Sequence, residues 1–191
     1  MQQLIFMLKR SLLAEMLISV LILMMVIAVQ GATLSSNSFP QNWQGTWSGT
    51  MLDRSVEGRS QTVPMTLRIQ PISNNSMRYT WQITYGAGAK KQVRNYELVV
   101  KDQSTGHFVI DEKNGTLIDA WCVGDRLYSQ FRVQDKLLNT QYERQNNRLH
   151  YELVTYQPTG SPQAKDCEQK VSFQNYQLQV VQSAELSLVR E

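Results

Sequence analysis

Any chemistry here would have to come from Asp119, from His107 and His150, or from a scattered set of aromatic side chains. Asp119 shares strand parity with Leu117 and Trp121. An Asp turned inward needs a partner or a polar ligand, because a buried, unpaired charge is too costly. In that position, with a neighbouring Tyr, it could bind a polar group or serve a catalytic step. If Ile118, Ala120 and Cys122 take the inner face instead, Asp119 is solvated. The alternation allows both parities. His107 starts a strand, and His150 lies beside Leu149 and Tyr151 on the expected outer face. Two isolated histidines give no metal spacing, so neither a metal nor a cofactor is expected. His150 could be an axial haem ligand only if its strand faced the other way. The chain has no G-x-S-x-G and no P-loop, and it is expected not to be an enzyme.

The aromatic set is more informative. Tyr79, Trp81, Tyr85, Tyr96, Phe131, Tyr142 and Tyr151 fall on the expected inner faces of strands. Tyr and Trp combine an apolar body with one polar handle, which suits a ligand pocket. Tyr79, Trp81, Tyr96, Phe131, Tyr142 and Tyr151 are the expected lining, with Asp119 as the polar candidate. The same residues could simply fill a small barrel.

The elements that place them are strands. Trp47, Gly49 and Met51 alternate with Ser48, Thr50 and Leu52. Val63 to Ile69, Met77 to Tyr85, Tyr96 to Val100 and Leu127 to Val133 continue the period of two. Asn114-Gly115 and Gly124-Asp125 are tight-turn signals. A long strand is expected over 171–181, and 184–189 is expected as a further strand or a short helix. Links are short, so successive strands should pair antiparallel. The expected fold is all-β, an up-and-down meander of about eight to ten strands. Closure into a barrel would remove the exposed edges.

Gly45-Thr46-Trp47 at the head of the first strand resembles the G-x-W signature of the calycin superfamily, which includes lipocalins, fatty-acid-binding proteins and avidins. The resemblance implies a cup for a small, usually apolar ligand over residues 42–156. It also implies that Trp47 closes one end of the barrel, with Arg190 as the late Arg over it. The tail 158–191 is longer than that pattern, and the later lipocalin motifs are not evident.

The N-terminal segment differs in character. Lys9-Arg10 precedes an apolar run over 16–29, shorter than the ~20 residues that cross a bilayer. Residues 1–31 are expected to be a signal peptide, 32–42 a linker, and 43–191 a β-barrel domain with a C-terminal extension. An uncut anchor over 12–34 is the alternative and would be the only membrane contact. The stretch 11–18, with Glu15 fifth, also resembles a type IV pilin start, although Arg10 stands where that family has Gly. The expected location is periplasmic or secreted.

Cys122 and Cys167 make an even pair in an exported chain, so a disulfide is expected. Chain entropy would give it up to about 4 kcal/mol. Formal charge is +3, and +2 remains once Lys9, Arg10 and Glu15 are removed. The basic residues are scattered, which argues against nucleic acid. The leading expectation is an exported, non-enzymatic barrel that binds a small apolar or amphipathic ligand. The alternatives are a filled barrel that contacts an envelope protein and a pilin-like, membrane-anchored subunit.

Overall fold

The period-two alternation becomes one continuous sheet in the computed structural model, which describes residues 39–164 and 172–189. A 3-10 turn, Gln41–Trp43, leads into β1 (Gly45–Ser55) and β2 (Ser60–Ile69). The short β3 (Pro71–Ile72) is followed by β4 (Asn75–Tyr85), β5 (Gln92–Asp102) and β6 (His107–Asp111). Then come β7 (Leu117–Val123), β8 (Arg126–Val133), β9 (Lys136–Gln145), β10 (Arg148–Ala164) and β11 (Ser172–Leu188). Sheet order is β2-β1-β11-β10-β9-β8-β7-β6-β5-β4-β3, and β2 also pairs with β4. That last pairing closes an antiparallel ten-stranded barrel, with β3 as a spur. Closure satisfies backbone groups that an open edge would leave exposed.

The C-terminal stretch differs from expectation. Within the described residues, 172–181 and 184–188 are not separate elements. They form one strand, β11, which pairs with β1 from Trp47↔Leu188 to Ser55↔Val180. Ala184 and Leu186 are buried and carry the apolar alternation on unbroken. This stretch is therefore a stave of the barrel. The β10–β11 pairing shifts register at Thr155/Tyr156, where Gln179 of β11 is the extra residue, and again at Thr159/Gln163. Pro158 and Gly160 sit there. Proline gives no N–H to a ladder, and Gly160 has φ +70°.

One half of the barrel is solid. Phe39, Trp43, Trp47, Leu98, Phe108 and Leu149 are fully buried there. Phe39 meets both Trp43 and Phe108 edge to face at 4.8 Å. Trp47 Nε1 donates to the Trp43 carbonyl at 2.8 Å, which ties the 3-10 turn across the barrel end. Gln103 Nε2 donates to the Phe39 carbonyl at 2.7 Å. On the outer surface, Arg78 bridges Glu97 at 2.6 Å and Asp111 at 2.8 Å, and Lys113 reaches Glu97 at 3.1 Å. Residues 1–38, which carry the signal, anchor and pilin expectations, lie outside the described residues.

Candidate ligand cavity

The other half of the barrel is hollow. The inner faces there line an open cavity of about 950 Å³. Its floor is Trp81, Tyr142 and Tyr151, all buried. The Trp81 and Tyr142 rings lie 5.1 Å apart, and Tyr142 and Tyr151 lie 5.0 Å apart. Ser129 and Thr140, directly paired across β8 and β9, place two buried hydroxyl residues on the same wall. Ile83, Phe131, Leu138 and Leu153 supply apolar wall. Lys90, Arg94 and Glu112 stand at the rim, beside the β4–β5 and β6–β7 connections. Pockets of this size, largely apolar with a few placed polar groups, suit a small-molecule ligand.

The hydroxyls of this cavity stay protonated. Burial pushes Tyr142 and Tyr151 well above the ordinary tyrosine value. Burial also raises Tyr85, against the hydrogen bond from Tyr151. Tyr96 is raised by burial first and then by the Glu112 charge. Arg94 favours the phenolates of both Tyr85 and Tyr96, so it lies close to each. Arg94 makes no ion pair among the described residues. The Trp81 Nε1–H favours the Tyr142 phenolate, but it meets no hydrogen-bond geometry. The geometry decides, since a hydrogen bond needs both distance and direction, and the donor stands open. An open buried donor costs about 1–3 kcal/mol.

Five of the expected lining residues do line the cavity: Trp81, Tyr96, Phe131, Tyr142 and Tyr151. Tyr79 is buried, but it does not line the cavity. Asp119 requires a correction, because it lies outside the barrel with its side chain 68 % exposed. Ile118, Ala120 and Cys122 take the inner face of β7. Ala120 is paired with Phe108, whose ring already fills that level, so a small residue is needed there. Trp121 is accommodated outside by stacking on His107 at 4.3 Å. His107 Nε2 and Asp119 Oδ1 are 2.7 Å apart on that outer face. His150 also lies outside, 2.6 Å from Glu185. Trp47 is fully buried, and Arg190 lies outside the described residues. Cys122 is buried near the Gly124 carbonyl, and Cys167 lies outside the described residues.

The sequence reading passed over Arg94, Glu112, Ser129 and Thr140. Ser129 sits between Leu127 and Phe131 in the inward register, and Thr140 between Leu138 and Tyr142. A polar residue within an apolar register was the available signal. Arg94 was hidden because the start of β5, Gln92 to Asn95, has no apolar alternation. A second, smaller concavity of about 420 Å³ lies on the sheet around Trp121, Tyr128, Asn139 and Tyr156.

No known family matches the sequence, and no curated protein matches it. Solved structures that share its shape include two with little sequence identity. One is a protein of unknown function of the DUF3598 family from Nostoc punctiforme, with TM-score 0.53 and 10 % identity. The match covers 78 % of this chain and 48 % of that one, so this chain spans about half of that protein's length. The other is an S-type phycobiliprotein lyase from Guillardia theta, with TM-score 0.55 and 5 % identity, covering 84 % of this chain and 98 % of that one. At such identities the likeness is one of fold alone, a closed antiparallel ten-stranded β-barrel. The second structure overturns the expectation of a non-enzymatic chain. A barrel of this shape is a lyase, so neither the fold nor the lack of a nucleophile motif argues against catalysis.

Proposed function

We propose that the barrel receives one small amphipathic molecule, with its apolar body in the cavity and an acidic group at the rim beside Arg94. The observation that carries this reading is the half-hollow barrel, about 950 Å³ of space above a floor of buried aromatics. Arg94 adds the acidic group, as a rim guanidinium with no ion pair among the described residues. Glu112, whose charge acts on Tyr96, forms with it at the rim the carboxyl–phenol pair at which a proton transfer to the bound molecule would be made. The packed half around Trp47 is what supports the filled-barrel alternative. Lys9-Arg10 and the apolar run 16–29 support a periplasmic or secreted location, which N-terminal sequencing of the protein from fractionated cells tests.

The test is titration with anilinonaphthalene sulfonate, an aromatic body with one negative charge. The expected result is one site per chain, weakened about five-fold by Arg94→Gln. A bilin is the second probe, because the Guillardia theta barrel is a phycobiliprotein lyase. Binding of neither probe by the folded chain overturns the proposal.

A further inference from the structure

Side chains of the other strand parity meet outside the barrel, and across β7 to β10 they line the concavity of about 420 Å³. The register sets Trp121, Tyr128, Gln141 and Glu152 in one row across the four strands. Tyr156 follows four residues beyond Glu152 on β10. The Trp121 ring is held in place. His107, its paired residue on β6, stacks on one indole face at 4.3 Å and 10°, and Asp119 lies 2.7 Å from His107. The other indole face is turned away from β6 toward β8, and among the described residues no second ring meets it.

Elsewhere on the outside, polar side chains pair with one another: Gln82 with Asn95, Gln61 with Asp53 and Gln145 with Glu143. In the concavity, the Gln130, Gln141 and Glu152 side chains have no hydrogen-bond or ion-pair partner among the described residues. Aromatic faces with open carboxamides between them suit a sugar. The C–H face of a pyranose lies on an aromatic ring, and its hydroxyls both donate to and accept from a carboxamide. Strands about 4.8 Å apart with a rise of about 3.3 Å per residue put Trp121 and Tyr156 about 20 Å apart, the span of several rings rather than one. No Lys or Arg lines the concavity. Arg126 and Arg132, on the same face of β8, are held by Glu143 and the Tyr176 hydroxyl. A polyanion therefore finds no free cation there, and a neutral chain is not repelled by Glu152.

We propose that this outer face binds a neutral, extended oligosaccharide. One ring stacks on the free face of Trp121 and a later one on Tyr156, with Gln130, Gln141 and Glu152 holding the hydroxyls between them. Asp119 and His107 position the indole. The site is separate from the barrel cavity, which lies on the other side of the same strands.

The test uses cellohexaose and chitohexaose, two neutral, extended β-1,4 oligosaccharides, with the wild-type chain. Trp43, Trp47 and Trp81 are fully buried and Trp121 is 47 % exposed, so acrylamide quenching of tryptophan fluorescence reports on Trp121. The expected result is saturable protection from acrylamide by at least one of the two sugars. Calorimetry should then show affinity weakened about ten-fold by Trp121→Ala and about five-fold by Gln141→Ala. Neither side chain belongs to the core, and melting curves check that both variants fold. Protection by neither sugar overturns the proposal. Sugar affinity unchanged in both variants places the sugar elsewhere and overturns it too. Protection by decaproline and by neither sugar makes the face a peptide platform and overturns the saccharide assignment.

Discussion

Trp81 and Tyr142 meet edge to face with ring centroids 5.1 Å apart, and they mark the level at which the barrel stops being filled. Trp47, Phe108 and Leu149 are packed in the filled half. Ile83, Phe131 and Leu153 stand around open space in the other half. One barrel thus has a stabilising half and a receiving half.

Leu153 projects into the receiving half from β10. Leu153→Trp should fill space that is empty in the folded chain. It is expected to weaken anilinonaphthalene sulfonate at least ten-fold. Thermal stability should change by less than about 1 kcal/mol, because no packed neighbour has to move. Parallel titration and melting curves check both parts.

Burial raises Tyr85, Tyr142 and Tyr151. A raised phenol pKa contributes stability that is fully present below pH 10.0, the ordinary tyrosine value. That stability is lost as pH rises through the folded values. Alkaline titration followed at 295 nm should therefore show surface tyrosines ionising first. Tyr142 and Tyr151 should ionise only together with unfolding. Tyr142→Phe should reduce the steepness of the alkaline loss.

Acid acts through the outer network. Burial alone would raise Glu97, but the bonds from Lys113 and Arg78 outweigh it and hold it below 4.5. Asp111 is held below 3.8 by the Lys113 backbone N–H, with Arg78 adding to it. Depressed carboxyl values give stability present above those ordinary values and lost as pH falls through the folded ones. Arg78→Gln should flatten the acid side of the stability profile. At neutral pH it should cost about 1 kcal/mol or less, since the pairs are partly exposed. Urea melts at stepped pH values check this.

Gly49 of β1 lies close against the β11 backbone. A Cβ there would lie 2.2 Å from the Glu185 carbonyl oxygen. Backbone is on both sides, so the clash cannot be relieved by a side-chain turn. Gly49→Ala should destabilise the barrel by about 1–3 kcal/mol and lower the melting temperature, measured by circular dichroism.

The strands and their antiparallel order were legible because each inner face repeats apolar residues with period two. The parity of β7 was not. Leu117 and Trp121 on one side and Ile118, Ala120 and Cys122 on the other are equally apolar, and only Phe108 across the pair decides it. The cavity lining was largely readable, since Trp81, Tyr96, Phe131, Tyr142 and Tyr151 share inward parity. Its depth was not readable, because it depends on how far the Phe39, Trp43 and Phe108 cluster rises inside the barrel. The polar groups were overlooked for a different reason: Ser129 and Thr140 read as interruptions of apolar strands, and Arg94 lies where β5 has no pattern.

The most direct measurement is native mass spectrometry of the full chain incubated with anilinonaphthalene sulfonate, alongside the Leu153→Trp variant. The account predicts one added probe per wild-type chain, lost on denaturation and absent from the variant. An unliganded wild-type mass, or equal uptake by both proteins, would contradict the cavity as the binding site.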